Sequence, residues 1–137
     1  MHFTSLEEAR EFFKNDRFAA GNGMQIEKLS EDSCVCSMLL TDQHKNAIGG
    51  IMGGAIFSLG DFAFAVTVNN VHMPSVAQQM SVNFLSMPTD GVLYAAAKVK
   101  RSGKTSIIVN IDITDDKGRD IAQIVGTGYK LAAAPNV

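Results

Sequence analysis

Between His44 and Asn70 the chain reads HKNAIGGIMGGAIFSLGDFAFAVTVNN, a run of apolar and glycine residues that holds one acid, Asp61, near its middle. A carboxylate in such surroundings is costly unless it is hydrated, paired or used, so Asp61 needs an explanation. The glycines upstream supply part of one. Gly49, Gly50, Gly53 and Gly54 let the backbone approach a ligand closely at a predicted helix start, where unpaired N–H groups favour negative charge. Bare amides near a buried acid are the ingredients of acyl chemistry.

Residues 47 to 68 are long enough to span a bilayer, whose hydrocarbon core needs about 20 apolar residues. Asp61 would then sit at the worst depth, and no Lys or Arg cluster flanks either end, so a helix buried in a globular core is the expectation. The spacings Gly49 to Gly53 and Gly50 to Gly54 also suit close helix packing and by themselves say no more than that.

A chain of 137 residues can bury a core without metals or disulfides, and one domain spanning 1–137 is expected. The net charge of −2 carries neither a nucleic-acid footprint nor a general affinity for anionic membranes. Cys34 and Cys36 lie two apart in a strand-like run, where disulfide geometry is poor, so reduced residues are expected. The opening MHFTSLEEAREFF lacks a basic segment followed by an apolar one, and the cytoplasm is the expected compartment.

Thr4 or Ser5, with Glu7 or Glu8 three residues on, predicts a helix start, with Leu6, Phe12 and Phe13 as its apolar face. Met24 to Leu29 and Ser33 to Leu40 read as two strands joined by a turn at Glu31-Asp32. The long helix should run from about Gly54 to about Asn69. From Val76 the pattern changes to strands, Val76 to Leu85, Val92 to Lys100, Thr105 to Thr114 and Arg119 to Leu131, separated by turn-like compositions that predict consecutive hairpins. The economical arrangement is α+β: a curled antiparallel sheet of five to six strands wrapped around one long apolar helix, plus an N-terminal helix.

The string His44-x-Asn46-x-x-Gly49-x-x-x-Gly53-Gly54, followed by Phe57, Leu59 and Asp61, resembles the signature of hotdog-fold acyl-CoA thioesterases of the phenylacetate-pathway type. The likeness extends through Asn83-Phe84-Leu85-x-x-Pro88, Arg101-x-Gly103-Lys104 and Gly126-Thr127, covering roughly residues 15 to 131. It implies a hotdog domain that hydrolyses an acyl- or aryl-acyl-CoA to free acid and CoA with no cofactor beyond the substrate's own CoA. By position, the Gly53 N–H would donate to the oxyanion, the Asn46 side chain would help polarise the thioester carbonyl, and Asp61 would be nucleophile or general base. His44, Met52, Gly54, Phe57, Ala77, Gln78 and Phe84 are expected among the substrate-binding residues, and an apolar tunnel between Phe57, Phe62 or Phe64 on the helix and Phe84 on the sheet would take the acyl group. Lys100, Arg101 and Lys104 read either as a solvated hairpin tip or, as the resemblance implies, as contacts to the CoA phosphates.

Helix rise adds a constraint that needs no relative. Gly53 and Asp61 are eight residues apart, about 12 Å along one helix at roughly 1.5 Å per residue, so one thioester carbon cannot touch both. The donor and the acid should come from different subunits of a two-fold dimer. The resemblance implies the same arrangement, commonly assembled into a homotetramer.

Two positions depart from the family pattern. Met52 stands where His usually precedes Gly-Gly, and Ala77, beside Gln78 and Gln79, where many relatives have Ser or Thr. Lost chemistry at these positions would favour a non-catalytic acyl-CoA binding or sensing protein as the alternative, and a hydratase or dehydratase would want the His that Met52 replaces. Ser58-Leu59-Gly60 has Ile56 where a nucleophile elbow needs glycine. No Gly-Lys-Ser/Thr follows the glycines, and His2, His44 and His72 are too scattered for a metal.

Overall fold

The structure, a computed structural model of the chain, describes residues 1–132. The last five residues of the expected 1–137 domain lie outside the described residues. The first helix, α1, spans Leu6–Phe13 and is capped by Ser5, whose hydroxyl accepts from Glu8 N–H at 3.1 Å. Its packed face differs from the expected one. Ala9 is buried and Leu6 and Phe13 pack against the core, while Phe12 is 44% exposed, because Leu6, Ala9 and Phe13 follow the three-to-four-residue helical period and Phe12 falls beside it.

A short helix absent from the sequence reading, α2, spans Arg17–Gly21, with Asp16 as N-cap accepting from Ala19 N–H at 3.0 Å. Strands β1 (Met24–Leu29) and β2 (Ser33–Leu39) follow, then the central helix α3 (Gly53–Val71). The remaining strands are β3 (Ser75–Phe84), β4 (Val92–Ser102), β5 (Ser106–Asp115) and β6 (Asp120–Lys130). The helix outlasts its expected end by two residues because the asparagines there are structural. Asn70 is fully buried, its amide donating to the Ser30 carbonyl (2.9 Å) and its oxygen accepting from Phe3 N–H (3.0 Å). Asn69 accepts from Ser75 N–H at 2.8 Å, tying the start of β3 to the helix.

The six strands form one antiparallel sheet in the order β1-β2-β4-β5-β6-β3. This corrects the expected run of hairpins: β3 pairs with β6, and the turn-like residues after Phe84 cross the end of the sheet instead of folding β3 onto β4. The crossing segment is stitched to the start of β6 and the turn before it. Leu85 N–H donates to the Ile121 carbonyl at 2.8 Å, the Ser86 hydroxyl donates to the Asp120 carbonyl, and the Arg119 guanidinium donates to the Met87 carbonyl at 2.9 Å. Turn composition marks where a strand stops; the strand it joins next is set by which apolar faces must meet.

The sheet wraps the helix with the alternation a one-sided sheet requires. Leu93, Ala95 and Ala97 of β4, Ile107, Val109, Ile111 and Ile113 of β5, and Ile121 and Ile124 of β6 are all buried. They cover Ile56, Leu59, Phe62, Ala63, Phe64, Val66 and Val68 of α3. By length and composition α3 could cross a membrane, but more than half of it is buried inside the protein. Close packing of the sheet on the helix requires glycine at position 126, where a Cβ would stand 2.7 Å from the Phe64 ring. Cys34 and Cys36 are both free and buried, their sulfurs 3.8 Å apart, well beyond the length of an S–S bond.

Candidate functional site

The first turn of α3 is open to a ligand. Ala55 and Ile56 N–H turn back onto the Met52 carbonyl (3.0 and 3.3 Å), leaving the Gly53 and Gly54 N–H groups without an acceptor among the described residues. The loop before the helix is held by Asn46, whose side-chain oxygen accepts from both Ile48 N–H (3.1 Å) and Gly50 N–H (3.0 Å). Gly49 completes the turn at φ +83°, a conformation that favours glycine. With its oxygen so occupied, the Asn46 amide can act on a ligand only as a donor through Nδ2. Removing Asn46 would therefore loosen the loop as well as delete a donor, a double role that the sequence did not disclose.

Asn46, Gly53, Ile56, Phe84, Ser86 and Met87 line one cleft of about 420 Å³ beside the helix start. Asp61 is not in it. It opens, with Asp16, Phe18, Ser58 and Phe62, into a separate cleft of about 250 Å³ on another face of α3. The Asp61 side chain reaches solvent in the single chain, yet the protein around it removes enough water to raise its carboxyl above the ordinary aspartate range, and the negative charge of Asp16 pushes it further the same way. Asp16 and Ser58 are members of this cleft that sequence reasoning missed. The signal for Asp16 was present as an N-cap residue ahead of Arg17-Phe18-Ala19-Ala20 and Gly21.

A third cleft, of about 350 Å³, is lined by Phe18, Met24, Met38, His44, Met52, Gly54 and Ser58 among others. His44 is 5% exposed and its Nδ1 accepts from Thr41 N–H at 3.0 Å. The neutral ring therefore carries its proton on Nε2. That Nε2 is the one buried side-chain nitrogen or oxygen without a partner among the described residues, an omission worth about 1–3 kcal/mol.

The other expected residues separate. Phe84 reaches the Gly53 cleft, Phe62 lines the Asp61 cleft, Phe57 is half-buried against the core, and Phe64 lies deep against Gly126 and Gly128. The single tunnel through Phe57, Phe62 or Phe64 and Phe84 is thus not formed within one chain. Ala77 and Gln78 are exposed near the start of β3, Gln78 at a bulge, roughly 23 Å of strand from Phe84 at about 3.3 Å per residue. Lys100, Arg101 and Lys104 are exposed around the β4–β5 turn. Ser106 pairs with Tyr129 and Tyr129 with Val76, so this tip shares the Ala77 end of the sheet and lies away from Gly53 of the same chain.

The profile of the thioesterase superfamily matches residues 48–122. The acyl-coenzyme A thioesterase PaaI of Escherichia coli is 29% identical over 132 residues, 96% of this chain and 94% of that protein. Human acyl-coenzyme A thioesterase 13 is 30% identical over 93 residues, covering 65% of this chain and 66% of its own length. The solved structure of the E. coli PaaI protein, from the phenylacetic acid degradation operon, superposes with a TM-score of 0.87 at 27% identity, over 95% of this chain and 99% of that one.

Proposed function

Starting from membership of the thioesterase superfamily, to which this chain belongs, we propose that it hydrolyses acyl-CoA thioesters at a site shared between two subunits. Thioester hydrolysis follows from the family, the PaaI relative and the shared hotdog fold. The subunit sharing rests on one observation: Gly53 with Asn46, and Asp61, open into different clefts of the same chain. A carbonyl carbon that needs both must lie between two chains.

In this reading the Gly53 N–H and Asn46 Nδ2 hold the carbonyl oxygen while negative charge grows on it, aided by the positive end of α3. Asp61 of the partner subunit either takes a proton from the water that attacks the carbon or attacks the carbon itself. On the first route the C–S bond breaks and the CoA thiolate recovers the proton. On the second, a mixed anhydride forms with loss of thiolate and is then opened by water.

The free edge of β3 supplies the contact. It ends the sheet, so its outer N–H and C=O groups lack a strand to pair with. Two β3 edges matched antiparallel about a two-fold axis would merge both sheets. The match reverses the second strand, bringing that subunit's copy of the Lys100-Arg101-Lys104 tip to the Phe84 end of the first, where Gly53 lies. Cations distant from Gly53 within one chain would then stand near it across the dimer, suited to the phosphates of CoA.

Thiol release from a panel of aryl, short and long acyl-CoA esters tests the reading, and tight binding with no release would overturn it. Ala at both Lys100 and Arg101 should raise KM for acyl-CoA at least about tenfold, as for the loss of two charge-assisted contacts. Thioesters truncated before the nucleotide should be spared, and the effect should shrink at high salt. Equal effects on both substrates would return these residues to a solvated turn.

The pH profile follows from the Asp61 cleft. Asp61 must be ionised to act, and its carboxyl is raised first by desolvation and then by Asp16, so activity should rise at a higher pH than for an ordinary aspartate. Asp16→Asn keeps a good N-cap for α2 and removes a negative charge that opposes ionisation. The acid limb of kcat/KM should move to lower pH, while much of the elevation persists because desolvation is the larger cause. An unmoved limb would show that Asp61 does not feel Asp16 in the assembled enzyme.

A further inference from the structure

A fourth cleft, of about 330 Å³, lies between α1, α2 and β1, with Phe62 of α3 in its wall. Phe13, Ala20, Met24 and Ile26 complete its apolar lining. Met24, Ile26 and Phe62 are buried, and the rings of Phe13 and Phe62 meet edge to face with centroids 5.7 Å apart. The charged members, Arg10 and Lys14, are both cations. Arg10 precedes Phe13 by one helical turn, which places the charge and the ring on one face of α1.

Arg10 is held in place and still has donors to spare. Its Nε donates to the Ile26 carbonyl at 2.8 Å, which ties the guanidinium to β1. Its two Nη groups enter no hydrogen bond or ion pair among the described residues. They present a planar pair of donors whose geometry matches a carboxylate. Lys14 is already engaged by Glu11 at 2.7 Å, with both side chains exposed, so the free cation of the cleft is Arg10.

Met24 and Phe62 line both this cleft and that of Asp61, so the two adjoin. Their charges are opposite. The charged members of the Asp61 cleft are Asp16 and Asp61, and the charge of Asp16 already opposes ionisation of Asp61. Hydrolysis of an acyl-CoA creates a further carboxylate, carried on an apolar body. Asp16 and Asp61 repel it by like charge, and past Met24 and Phe62 it meets a cation beside an apolar wall.

We propose that the cleft between α1, α2 and β1 is a binding site for the free carboxylic acid that the reaction releases, separate from the site where the thioester is cut. The carboxylate accepts from the Arg10 Nη groups, and the apolar body lies against Phe13, Met24, Ile26 and Phe62. The choice of the product acid as occupant rests on the acyl-CoA hydrolase reading above. No bond is made or broken here: the site holds an amphipathic anion by one charge-assisted contact and by burial of apolar surface.

Methyl NMR of the whole protein, labelled at isoleucine and titrated with phenylacetate and with hexanoate, reads the site through Ile26, which lines this cleft and none of the three described above. At least one acid should shift Ile26 saturably with a Kd of about 1 mM or tighter, within reach of a ligand of about ten heavy atoms. Phenylacetamide and hexanamide, which keep the body and lack the charge, should bind at least about tenfold more weakly. Arg10→Gln keeps a donor for the Ile26 carbonyl and should weaken the acid to the level of its amide, while Arg10→Lys should retain part of the difference. An unshifted Ile26, or equal binding of acid and amide, would overturn the assignment on the wild-type protein, with no variant needing to fold. Thiol release from CoA esters without a shift at Ile26 would overturn this inference alone. Saturable acid binding in a protein that turns over no CoA ester would overturn the hydrolase reading and, with it, the product acid as occupant.

Discussion

Replacing Asp61 with asparagine should lower kcat by at least about 10²-fold, in the range for loss of a general base, while leaving fold and assembly intact. The expected loss corresponds to about 2.7 kcal/mol of transition-state stabilisation. The structure says why the protein should survive the change. Asp61 is exposed in the single chain and forms no salt bridge or side-chain hydrogen bond among the described residues, so asparagine of the same shape leaves no partner stranded. Its carboxylate is disfavoured by desolvation and by Asp16, so neutralising it relieves a penalty and should not weaken the fold. Steady-state thiol release, read beside thermal unfolding and gel filtration, checks both halves of the expectation. Turnover retained in a folded Asp61→Asn protein would remove Asp61 from the mechanism.

Mixing two inactive variants should restore about a quarter of wild-type activity. One variant is Asp61→Ala and the other is Gly53→Pro, which deletes the N–H proposed to face the oxyanion. Proline suits this position. Gly53 is the first residue of α3, where proline is well tolerated, and Met52 before it lies at φ −63°, ψ 132°, the extended region that a following proline requires. The new Cβ would stand 3.1 Å from the Phe84 ring, which is half-exposed and has room to give by a few tenths of an ångström. At random equal exchange about half of the dimers are mixed, and in each mixed dimer one of two sites joins an intact Asp61 to an intact Gly53, by the symmetry of an isologous interface. Activity of the mixture, with exchange verified by mass-tagged subunits, is the measurement. No recovery after verified exchange of folded subunits would place Gly53 and Asp61 in one chain's site.

Much of the site was legible because local chemistry places it. The glycines before Ala55 and the isolated Asp61 stand out against an apolar run, and helix rise separates them without any coordinates. Other members were invisible for a physical reason. Asp16 precedes Asp61 by 45 residues, counted along the chain, and meets it only because α2 folds against α3. The unpartnered Nε2 of His44 arises because Thr41 N–H occupies the other ring nitrogen and no acceptor among the described residues reaches it. Phe57, Phe62 and Phe64 looked interchangeable as apolar lining, but successive helix positions turn by about 100°, so one faces the core's margin, one a cleft and one the sheet.

By itself the sequence determined a helix that must be buried, strands that must present one apolar face, and a carboxylate whose distance from the glycine amides at the helix start is set by helical rise. These follow from periodicity and covalent geometry, which act over a few residues and survive any packing. Only the tertiary structure decided that β3 pairs with β6 rather than β4, and that its outer edge is left free. It also decided that Lys100, Arg101 and Lys104 lie far from Gly53 of their own chain. Those outcomes depend on which distant apolar faces bury one another, and a turn sequence such as Pro88-Thr89-Asp90-Gly91 reads the same whether the chain folds back as a hairpin or crosses the end of the sheet.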